Sequence, residues 1–422
     1  MTARPASPTS GPATVAAPSD VAIDLERWPG LAPPSNAPLH AEAARRLVRR
    51  AARLAEIRVE FPEGSSWGPD TAPAIVLRDP DALFTRLGRD VLIGFGESFM
   101  AAEWDSDALV DVLARLAGRV DRLVPRPLQR LRSWVEAHRP PAEDNDQDGA
   151  RRNIARHYDL SNEMFALFLD ETLTYSSALF ETPDEPLVDG QRRKVQRILD
   201  IAGVTTGSRV LEIGTGWGEL AIQAAHRGAQ VTTLTLSVEQ AELARQRIAA
   251  AGVSDRIDLR VQDYRDVTGE FDAIVSVEMI EAVGERWWPT YFRAIDALLA
   301  PGGRVGLQAI VMPHDRLLAS RRSWTWIHKY IFPGGLLLSE QAIDEVCAKH
   351  TALRVVDRLH LGSSYAETLR AWRERFTANR EAIAALGFDD VFQRMWTFYL
   401  SYCEGGFRAG YLDDVQLTLT RG

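Results

Sequence analysis

Val210-Leu-Glu-Ile-Gly214-Thr-Gly216-Trp-Gly218-Glu219 is the stretch that decides the fold. Its first half is an apolar run of strand type, and its second half is a turn that contains three glycines. Such a turn between a strand and a helix lets the backbone approach a ligand closely and directs free helix N–H groups toward it. The spacing G-x-G-x-G differs from the dinucleotide fingerprint G-x-G-x-x-G. A plain strand-to-helix turn is the alternative interpretation.

Glu212 lies two residues before the turn and favours a cationic ligand. A diphosphate requires positive potential, whereas S-adenosylmethionine (SAM) carries a sulfonium and an ammonium. An acidic residue followed by G-x-G-x-G is typical of SAM-binding sheets. The stretch therefore predicts a SAM site, in which Glu212 holds the ammonium and the backbone of Gly214, Gly216 and Gly218 approaches the donor.

Strand-like apolar runs alternate with helix-length segments around this turn. The runs are Arg209–Ile213, Gln230–Leu236, Ile257–Gln262, Asp272–Val277 and Arg304–Ile310, and Val415–Arg421 alternates as a closing strand does. This alternation predicts βαβ units, an α/β fold and a doubly wound parallel sheet of Rossmann type. The predicted domain spans residues 151–422.

The tips of the second and third strands carry further candidate ligands. Thr235, Ser237 and Gln240 follow the second strand, where the acidic residue that commonly binds a ribose is missing. Ser237 and Gln240 also have the spacing of a capping box, so that cap and ligand roles are both open. After the third strand, Asp263, with Tyr264 beside it, is a candidate acceptor for an adenine amino group, and a turn residue is the alternative.

Composition and charge limit the classes of function. The 422 residues are enough for two or three domains, and the formal net charge of -9 argues against nucleic acid as the partner and against general attraction to an anionic bilayer. The two cysteines, Cys347 and Cys403, predict neither a disulfide framework nor a zinc site. This cysteine usage fits a reducing cytoplasm, and no apolar run reaches the ~20 residues of a membrane span.

The chain before the sheet divides into three predicted segments. Residues 1–35 have the composition of a disordered tail, 36–138 form an accessory domain, and 139–150 form an acidic, Pro-rich linker. Ala44–Arg58 could lie on a membrane surface, but an ordinary helix packed on its own domain is favoured. Ser320–Leu338 mixes basic and aromatic residues, which suits a membrane contact, a dimer surface or a tunnel wall.

A series of ordered motifs resembles the cyclopropane-fatty-acyl-phospholipid synthase family over about residues 80–420. The motifs are Leu92–Met100, Arg156–Asn162, Leu173–Ser177, Leu211–Gly218, Val277–Gly284, Lys329–Gly335, Tyr365–Trp372 and Tyr399–Glu404. The resemblance implies a class I SAM-dependent methyltransferase with a helical lid and an insert. It also implies SAM as co-substrate and methyl transfer to the cis double bond of an unsaturated phospholipid acyl chain. Such an enzyme would act peripherally at the inner face of the cell membrane.

Three short segments resemble the branch that makes 10-methylene or 10-methyl fatty acids of the tuberculostearic type. The chain has Thr-Gly-Trp-Gly-Glu at 215–219, Glu-Ala-Val-Gly at 281–284 and Leu-Gln-Ala-Ile at 307–310. Cyclopropane synthases more often have Cys-Gly-Trp-Gly-Gly, Glu-His-Val-Gly and Leu-His-x-Ile there. The resemblance thus implies a 10-methylene product, with a cyclopropane ring as the alternative. Because no flavin or nicotinamide motif occurs, reduction to a methyl group would need a separate reductase.

The implied reaction requires aromatic faces near the acyl chain. Attack of the alkene on the methyl group leaves a carbocation, and each aromatic contact can stabilise it by ~0.5–2 kcal/mol. Tyr175, Trp217 and Tyr365 are the candidates, and core packing is the alternative for each. A proton must then leave the added methyl group, so that a base close to the cation is also required.

In the family that the chain resembles, a bound bicarbonate is this base. The carried-over ligands are Glu281, Gln308, the backbone beside Ile310, Tyr365 and Ser177. Gln308 and Ser177 stand where the family usually has His and Cys, and both side chains can still donate a hydrogen bond to an anion. Glu281 acting directly is the competing hypothesis, because burial raises the pKa of a carboxyl group.

The resemblance also implies that Tyr158, Tyr175 and Ser176 of the lid and Trp217 of the glycine turn contact the donor. Cys403 matches a family position once regarded as a nucleophile, but direct alkyl transfer needs no covalent intermediate, and a packing role is favoured. Two other functions are weighed against this one: a SAM methyltransferase of a soluble small molecule, and a nonenzymatic lipid-binding module in residues 40–138. A homodimer is a further expectation for the insert.

Overall fold

The computed structural model describes residues 21–35, 37–123, 145–147, 149, 161–182 and 184–422. Two sheets organise this part of the chain, one with four strands and one with seven. The predicted linker lies mostly outside the described residues, as does the lid residue Tyr158. Within the described ranges, no helix combines the length and the apolar character that a membrane crossing requires.

The N-terminal unit surrounds the small sheet with helices. Its elements are α1 (Pro38–Ala55), β1 (Arg58–Glu60), β2 (Ser66–Trp67), β3 (Ala74–Leu77), α2 (Pro80–Arg89), α3 (Val91–Met100), β4 (Trp104–Asp105), α4 (Leu109–Ala117) and α5 (Val120–Leu123). The strand order is β2-β1-β3-β4. Helices α2 and α3 begin where the carboxylates of Asp79 and Asp90 accept hydrogen bonds from backbone N–H groups of the first turn.

The amphipathic helix α1 packs on its own unit. Ala44, Ala52 and Ala55 are buried. The guanidinium carbon of Arg45 lies 4.7 Å from the ring centroid of Phe84 in α2. These are the contacts of an ordinary domain helix, which is the interpretation that the sequence favoured.

Residues 21–35, which the sequence assigned to a disordered tail, lie in defined contact with the rest of the protein. A 3-10 turn at Pro29–Leu31 buries its last side chain. The indole of Trp28 donates a hydrogen bond of 2.9 Å to Asp389, far along the chain. The tail prediction is therefore wrong for these residues, while positions 1–20 lie outside the described ranges.

The second unit is built on the seven-stranded sheet. Its strands are β5 (Arg209–Ile213), β6 (Gln230–Thr235), β7 (Ile257–Val261), β8 (Phe271–Val277), β9 (Leu299–Val311), β10 (Leu353–His360) and β11 (Asp413–Arg421). The order is β10-β11-β9-β8-β5-β6-β7, with parallel pairing from β9 to β7 and antiparallel pairing of β10 and β11. The predicted α/β fold with a doubly wound sheet is confirmed, with an antiparallel edge.

Helices cover both faces of this sheet. The helices of the second unit are α6 (Asn162–Phe168), α7 (Leu187–Ile201), α8 (Glu219–His226), α9 (Val238–Ala250), α10 (Trp288–Leu298), α11 (His314–Ser320), α12 (Trp326–Tyr330), α13 (Glu340–His350), α14 (Gly362–Ala378), α15 (Arg380–Ala385) and α16 (Asp390–Arg408). Successive residues of β5 point to opposite faces. Val210 therefore packs with α7 and α8, whereas Leu211 packs with α10 and α13.

Helix α16 joins the two units. The ring of Phe398 lies 6.3 Å from that of Trp104 and 4.8 Å from that of Trp326, centroid to centroid. Arg394 donates hydrogen bonds to the backbone carbonyls of Phe99, at 2.7 Å, and Trp104, at 3.0 Å. One hydrophobic core therefore runs from the small sheet into the C-terminal helices. The predicted accessory domain shares its core with the second unit.

The predicted segment Ser320–Leu338 carries α12, which packs on α3. Lys329 Nζ and Tyr330 OH donate to the same carboxylate oxygen of Glu97, at 2.5 and 2.7 Å. Trp326 is buried against the N-terminal unit. Much of the basic and aromatic character that suited a membrane contact is thus used inside the molecule.

Candidate active site

The strand order reverses beside β5, and this reversal creates a crevice. β5 pairs with β6 on one side and with β8 on the other. The loops that follow β5 and β8 diverge at their carboxyl ends, which is where open α/β sheets bind ligands. A cleft lies at this point, between the glycine turn and the loop that precedes α7.

Most of the residues predicted to bind the donor line this cleft. They are Tyr175, Ser176, Glu212, Gly214, Gly216, Trp217, Thr235, Gln240, Asp263 and Tyr264. Gly218 and Ser237 stand at the N-terminal ends of α8 and α9. Ser237 is the cap that the sequence suggested, since its hydroxyl accepts a hydrogen bond of 3.1 Å from the N–H of Gln240.

The glycine turn needs its glycines for two reasons. Gly214 and Gly218 have φ angles of 105° and 92°, in the left-handed region that favours glycine. A Cβ atom on Gly218 would also lie 3.3 Å from the Cβ of Ala244 in α9. Local backbone conformation and the close approach of two helices therefore both specify this turn.

Glu212 is buried at the end of β5 and lines the cleft. The hydroxyl of Thr233 donates to its Oε2 at 2.5 Å. Burial raises the pKa of Glu212 to about 8, although the Thr233 hydrogen bond opposes this shift. A cation placed in the cleft would favour the ionised form, as the predicted ammonium contact requires.

The charges around the cleft fit a cationic donor. The acidic residues are Glu212, Glu219, Asp263 and Glu278, and the basic residues are Lys194 and Arg265. Arg265 is already paired with Asp263 at 2.6 Å. Carboxyl groups thus outnumber cations along the described wall, which suits the sulfonium and ammonium of SAM and disfavours a diphosphate.

Asp263 fulfils the turn role that was the alternative interpretation. Its Oδ1 accepts from the backbone N–H of Arg265 at 2.9 Å, and the Arg265 guanidinium binds both carboxylate oxygens. A carboxylate has about four acceptor positions, so these three bonds leave capacity for one more donor. The adenine contact therefore stays a prediction beside the turn role.

The residues predicted to hold bicarbonate meet at a residue that the sequence analysis missed. Oε1 of Glu278 accepts from the backbone N–H of Ser177 at 2.8 Å and from Gln308 Nε2 at 2.9 Å. Oε2 of Glu278 accepts from the hydroxyl of Tyr365 at 2.6 Å. The Ser177 hydroxyl, which was expected to face an anion, donates instead to the carbonyl of Ala178. The three donors thus surround one carboxylate that also lines the cleft.

Glu281 lies beside this group. Its Oε1 accepts from the backbone N–H of Ile310 at 2.5 Å, a contact that the resemblance assigned to bicarbonate. Its Oε2 is buried, with no hydrogen-bond partner among the described residues. Burial raises the pKa of Glu281 to about 8, and repulsion from Glu278 adds to the shift. Glu281 is therefore mostly protonated at neutral pH.

Lys194 and Asp414 complete the buried polar cluster. Lys194 of α7 is buried and donates to the Ser176 hydroxyl at 2.5 Å. Burial lowers its pKa to about 8, against the attraction of Glu278. Asp414 begins the buried part of β11, and its Oδ2 accepts from Gln308 at 2.9 Å. Burial raises the pKa of Asp414 well above its usual range.

Aromatic side chains close the cleft on the lid side. Tyr175 lies 5.2 Å from Trp372, centroid to centroid, and its hydroxyl shares a hydrogen bond of 2.7 Å with that of Tyr399. Trp217 packs on Phe165 at 5.1 Å. Tyr175 and Trp217 therefore combine packing with a place at the cleft, so that the structure accommodates both interpretations of these residues.

Tyr365 and Cys403 lie behind the cleft. Tyr365 stacks on Phe407 with centroids 4.4 Å apart and reaches the cleft through its hydrogen bond to Glu278. Cys403 is partly buried against the same hydrophobic core. Burial raises the pKa of its thiol to about 12. A thiol that stays protonated at neutral pH fits packing better than nucleophilic attack.

Comparison with known proteins agrees with this arrangement. The sequence model of the mycolic acid cyclopropane synthetase family matches residues 145–417. This chain belongs to that family. It is 56% identical, over 95% of its length and 96% of the relative's, to tuberculostearic acid methyltransferase UfaA1 of Mycobacterium tuberculosis. It is 35% identical, over 83% of its length and 89% of the relative's, to cyclopropane-fatty-acyl-phospholipid synthase of Escherichia coli.

Solved structures of the family share the fold. Cyclopropane synthase MmaA2 of Mycobacterium tuberculosis matches with a TM-score of 0.59 and 30% identity, over 64% of this chain and 97% of that one. Mycolic acid cyclopropane synthase CmaA1 in complex with SAH and CTAB matches with a TM-score of 0.59 and 31% identity, over 64% and 97%. SAH is what SAM becomes after methyl transfer. This member of the family is thus a SAM-dependent methyltransferase, and the resemblance and co-substrate predicted from the sequence are confirmed.

Proposed function

We propose that this enzyme transfers the methyl group of SAM to the cis double bond of an unsaturated phospholipid acyl chain and yields a 10-methylene acyl chain. The observation that carries the proposal is a carboxylate, Glu278, that lines the donor cleft and accepts hydrogen bonds from Ser177, Gln308 and Tyr365. Methylation of an amine or a phenol produces a readily lost N–H or O–H proton, whereas methylation of an alkene requires a base beside a carbocation. The names of the relatives, tuberculostearic acid methyltransferase and cyclopropane-fatty-acyl-phospholipid synthase, support an acyl lipid substrate.

The donor is held by groups that match its charges. SAM supplies a methyl group bonded to a positively charged sulfur. In the proposed site, Glu212 binds the ammonium, Asp263 accepts from the adenine amino group, and the backbone of the glycine turn lets the donor lie close to the sheet. Thr235 and Gln240, which share a hydrogen bond of 3.1 Å, provide polar contacts for the ribose. Positioning of the two reactants supplies much of the barrier reduction.

The acyl chain meets the donor on the aromatic side of the cleft. Tyr175 and Trp217 line the cleft there, and both pack on the hydrophobic core. The π electrons of the alkene form the new C–C bond, which leaves a cation on the neighbouring carbon. A hydride shift moves the cation to the methylated carbon, and loss of a proton from the added methyl group gives the exomethylene. The net change is addition of one CH2 group and release of one proton.

The proposed substrate places the enzyme at a lipid surface. We expect peripheral binding at the inner face of the cell membrane, followed by withdrawal of one acyl chain into the cleft. Reduction of the methylene to a methyl group needs a hydride donor. The acidic cleft fits a cation rather than a nicotinamide dinucleotide, so that a separate reductase would carry out this step.

The test uses purified protein, SAM and vesicles of oleoyl phosphatidylglycerol. We expect the acyl chains to gain the mass of one CH2 group and to show vinylidene protons in the NMR spectrum. Vesicles with saturated acyl chains are the matched control and should stay unchanged. A cyclopropane is an isomer with the same mass, but its ring protons appear at high field. High-field signals alone would refute the 10-methylene product, and unchanged oleoyl chains would refute the proposed function.

A further inference from the structure

We propose that Glu278 is the catalytic base of this enzyme and that its carboxylate stands where the family resemblance puts a bound bicarbonate. The inference rests on the proposed function, because it names the group that removes the proton from the cationic acyl chain. It concerns a residue that neither the sequence motifs nor the resemblance singled out.

The hydrogen bonds around Glu278 carry the proposal. Ser177, Gln308 and Tyr365 were assigned to an anion, and all three donate to this one carboxylate at 2.6–2.9 Å. A carboxylate and the CO2 end of bicarbonate are both planar, carry their charge on two oxygens and accept the same kind of donors. A side chain of the protein thus provides at this place the anion that the predicted ligands would otherwise recruit from solution.

The backbone directs Glu278 toward the cleft at a cost. Glu278 follows β8 with a φ of 48°, in the left-handed region. This conformation costs a non-glycine residue about 1–2 kcal/mol, and such strain persists where the surrounding contacts determine it. The three hydrogen bonds to the side chain are contacts of that kind, and the residue they hold lines the donor cleft. Glu278 therefore contacts the three hydrogen-bond donors and lines the cleft in which the reacting groups would lie.

The neighbouring charges favour Glu278 as the ionised carboxylate of the cluster. The titratable groups that face it are Lys194 from α7, Tyr365 from α14, Asp414 from β11 and Glu281 from the following turn. Burial raises the pKa of all three acids, and repulsion from Glu278 raises those of Glu281 and Asp414 further. The charge of Lys194 and the three donated hydrogen bonds oppose the shift at Glu278. Among the described residues, Glu278 accepts three hydrogen bonds, whereas Glu281 accepts one from Ile310 and Asp414 accepts one from Gln308.

The proton-transfer step balances without another reactant. A C–H bond of the added methyl group breaks, and its electron pair becomes the second bond of the exomethylene. The proton goes to the Glu278 carboxylate and leaves for solvent after the product departs. A proton next to a carbocation is strongly acidic, so that even a moderately basic carboxylate accepts it. No oxidant or reductant takes part.

The first experiment compares wild type with Glu278→Gln in buffer freed of carbon dioxide. We expect wild-type turnover on oleoyl vesicles to change by less than about twofold when sodium bicarbonate is added. Glu278→Gln should lower kcat by ~10²–10⁴-fold, the usual contribution of a general base, while equilibrium dialysis shows SAH bound within about threefold of wild type. Glu285→Gln, a change at an exposed residue of the next turn, is the control and should keep wild-type turnover.

The second experiment uses Glu278→Gly, which suits the left-handed φ and leaves the three donors facing a space of carboxylate size. We expect sodium bicarbonate to raise the rate of this variant by at least about tenfold, in contrast to wild type. If bicarbonate does not rescue a variant that still binds SAH, the proposal that the Glu278 carboxylate occupies the position of bicarbonate is contradicted. Should Glu278→Gly fail to fold, the turnover of the isosteric Glu278→Gln and the effect of bicarbonate on wild-type turnover still test whether Glu278 is the base.

The two proposals fail in different ways. Wild type that loses turnover without bicarbonate, or Glu278→Gln with turnover near wild type, would overturn the role of Glu278 while leaving the lipid reaction intact. Wild type that never modifies oleoyl chains, with or without bicarbonate, would overturn the lipid reaction itself.

Discussion

Replacing Glu212 with glutamine tests the charge recognition of the donor. The substitution keeps the shape of the side chain and an oxygen that can accept from the Thr233 hydroxyl, but it removes the charge. With a pKa of about 8, Glu212 must lose a proton before it can bind an ammonium as a carboxylate at neutral pH. Binding at pH 7 therefore includes a deprotonation cost of about 1.4 kcal/mol. A charged hydrogen bond contributes about 1.5–3 kcal/mol in return.

These values set the expected magnitudes. The net contribution at pH 7 is about 0.1–1.6 kcal/mol, so that Glu212→Gln should weaken binding by up to about 15-fold. For wild type, the dissociation constant should fall about ninefold between pH 6 and pH 7, because the ionised fraction of Glu212 rises by that factor. Binding at pH 7 should release about 0.9 proton. Glu212→Gln should show neither the pH slope nor the proton release.

Titration calorimetry with SAH measures both quantities, because SAH has the ammonium of the donor without its sulfonium. Runs at one pH in two buffers of different ionisation heat give the number of protons released. The range ends at about pH 7.5, since α-amino groups themselves deprotonate near 7.7–8.0. Glu219→Gln, at the same cleft but paired with Arg247 at 3.0 Å, is the control and should keep the wild-type slope. Equal slopes in wild type and Glu212→Gln would refute the assignment of the ammonium to Glu212.

Two further substitutions test the packing of the glycine turn and the role of the Cys403 thiol. Gly218→Ala should lower the free energy of unfolding by about 1–2 kcal/mol for the left-handed φ, and further for the 3.3 Å approach to Ala244. Gly207 has a φ of 84° and open space around a Cβ atom, so that Gly207→Ala should lower the free energy of unfolding only through the backbone conformation. Equal losses for the two variants in urea titrations would contradict the packing role of Gly218. Cys403→Ala should keep turnover within about twofold, because a thiol with a pKa of about 12 is not a nucleophile at neutral pH. A loss of about a hundredfold in the same vesicle assay would show that the thiol takes part in the reaction.

The sheet was predictable because its strands are short apolar runs bounded by turns. β5 was predicted at its observed bounds, and β6, β7 and β8 within one residue at either end. β9 begins at Leu299, five positions before the prediction, because Leu299 pairs with Phe271 of β8. The register then shifts before Arg304 pairs with Ala273, so that Pro301, Gly302 and Gly303 form an irregularity inside the strand, in keeping with their turn signals.

The donor cleft was predictable because its residues follow strand tips, and the tips of parallel strands meet at one edge. The buried polar cluster behind the cleft could not be predicted from the sequence. Lys194 lies in a helix and Asp414 at the start of a strand, positions where charged residues usually face water. Glu278 sits in a turn whose left-handed φ leaves no mark in the sequence. Tertiary packing alone brings these three groups together, whereas the resemblance pointed to their neighbour Glu281.

The core shared by the two units has a consequence for protein synthesis. Phe99 is translated almost three hundred residues before Arg394, whose side chain binds its carbonyl, and Trp104 precedes Phe398 by a similar span. At about 5–20 residues per second, a ribosome needs on the order of 15–60 s to cover that distance. During this interval, the aromatic side chains of the N-terminal unit lack the C-terminal residues that pack on them in the folded protein. We therefore expect the beginning of the protein to depend on chaperones until its last long helix leaves the exit tunnel.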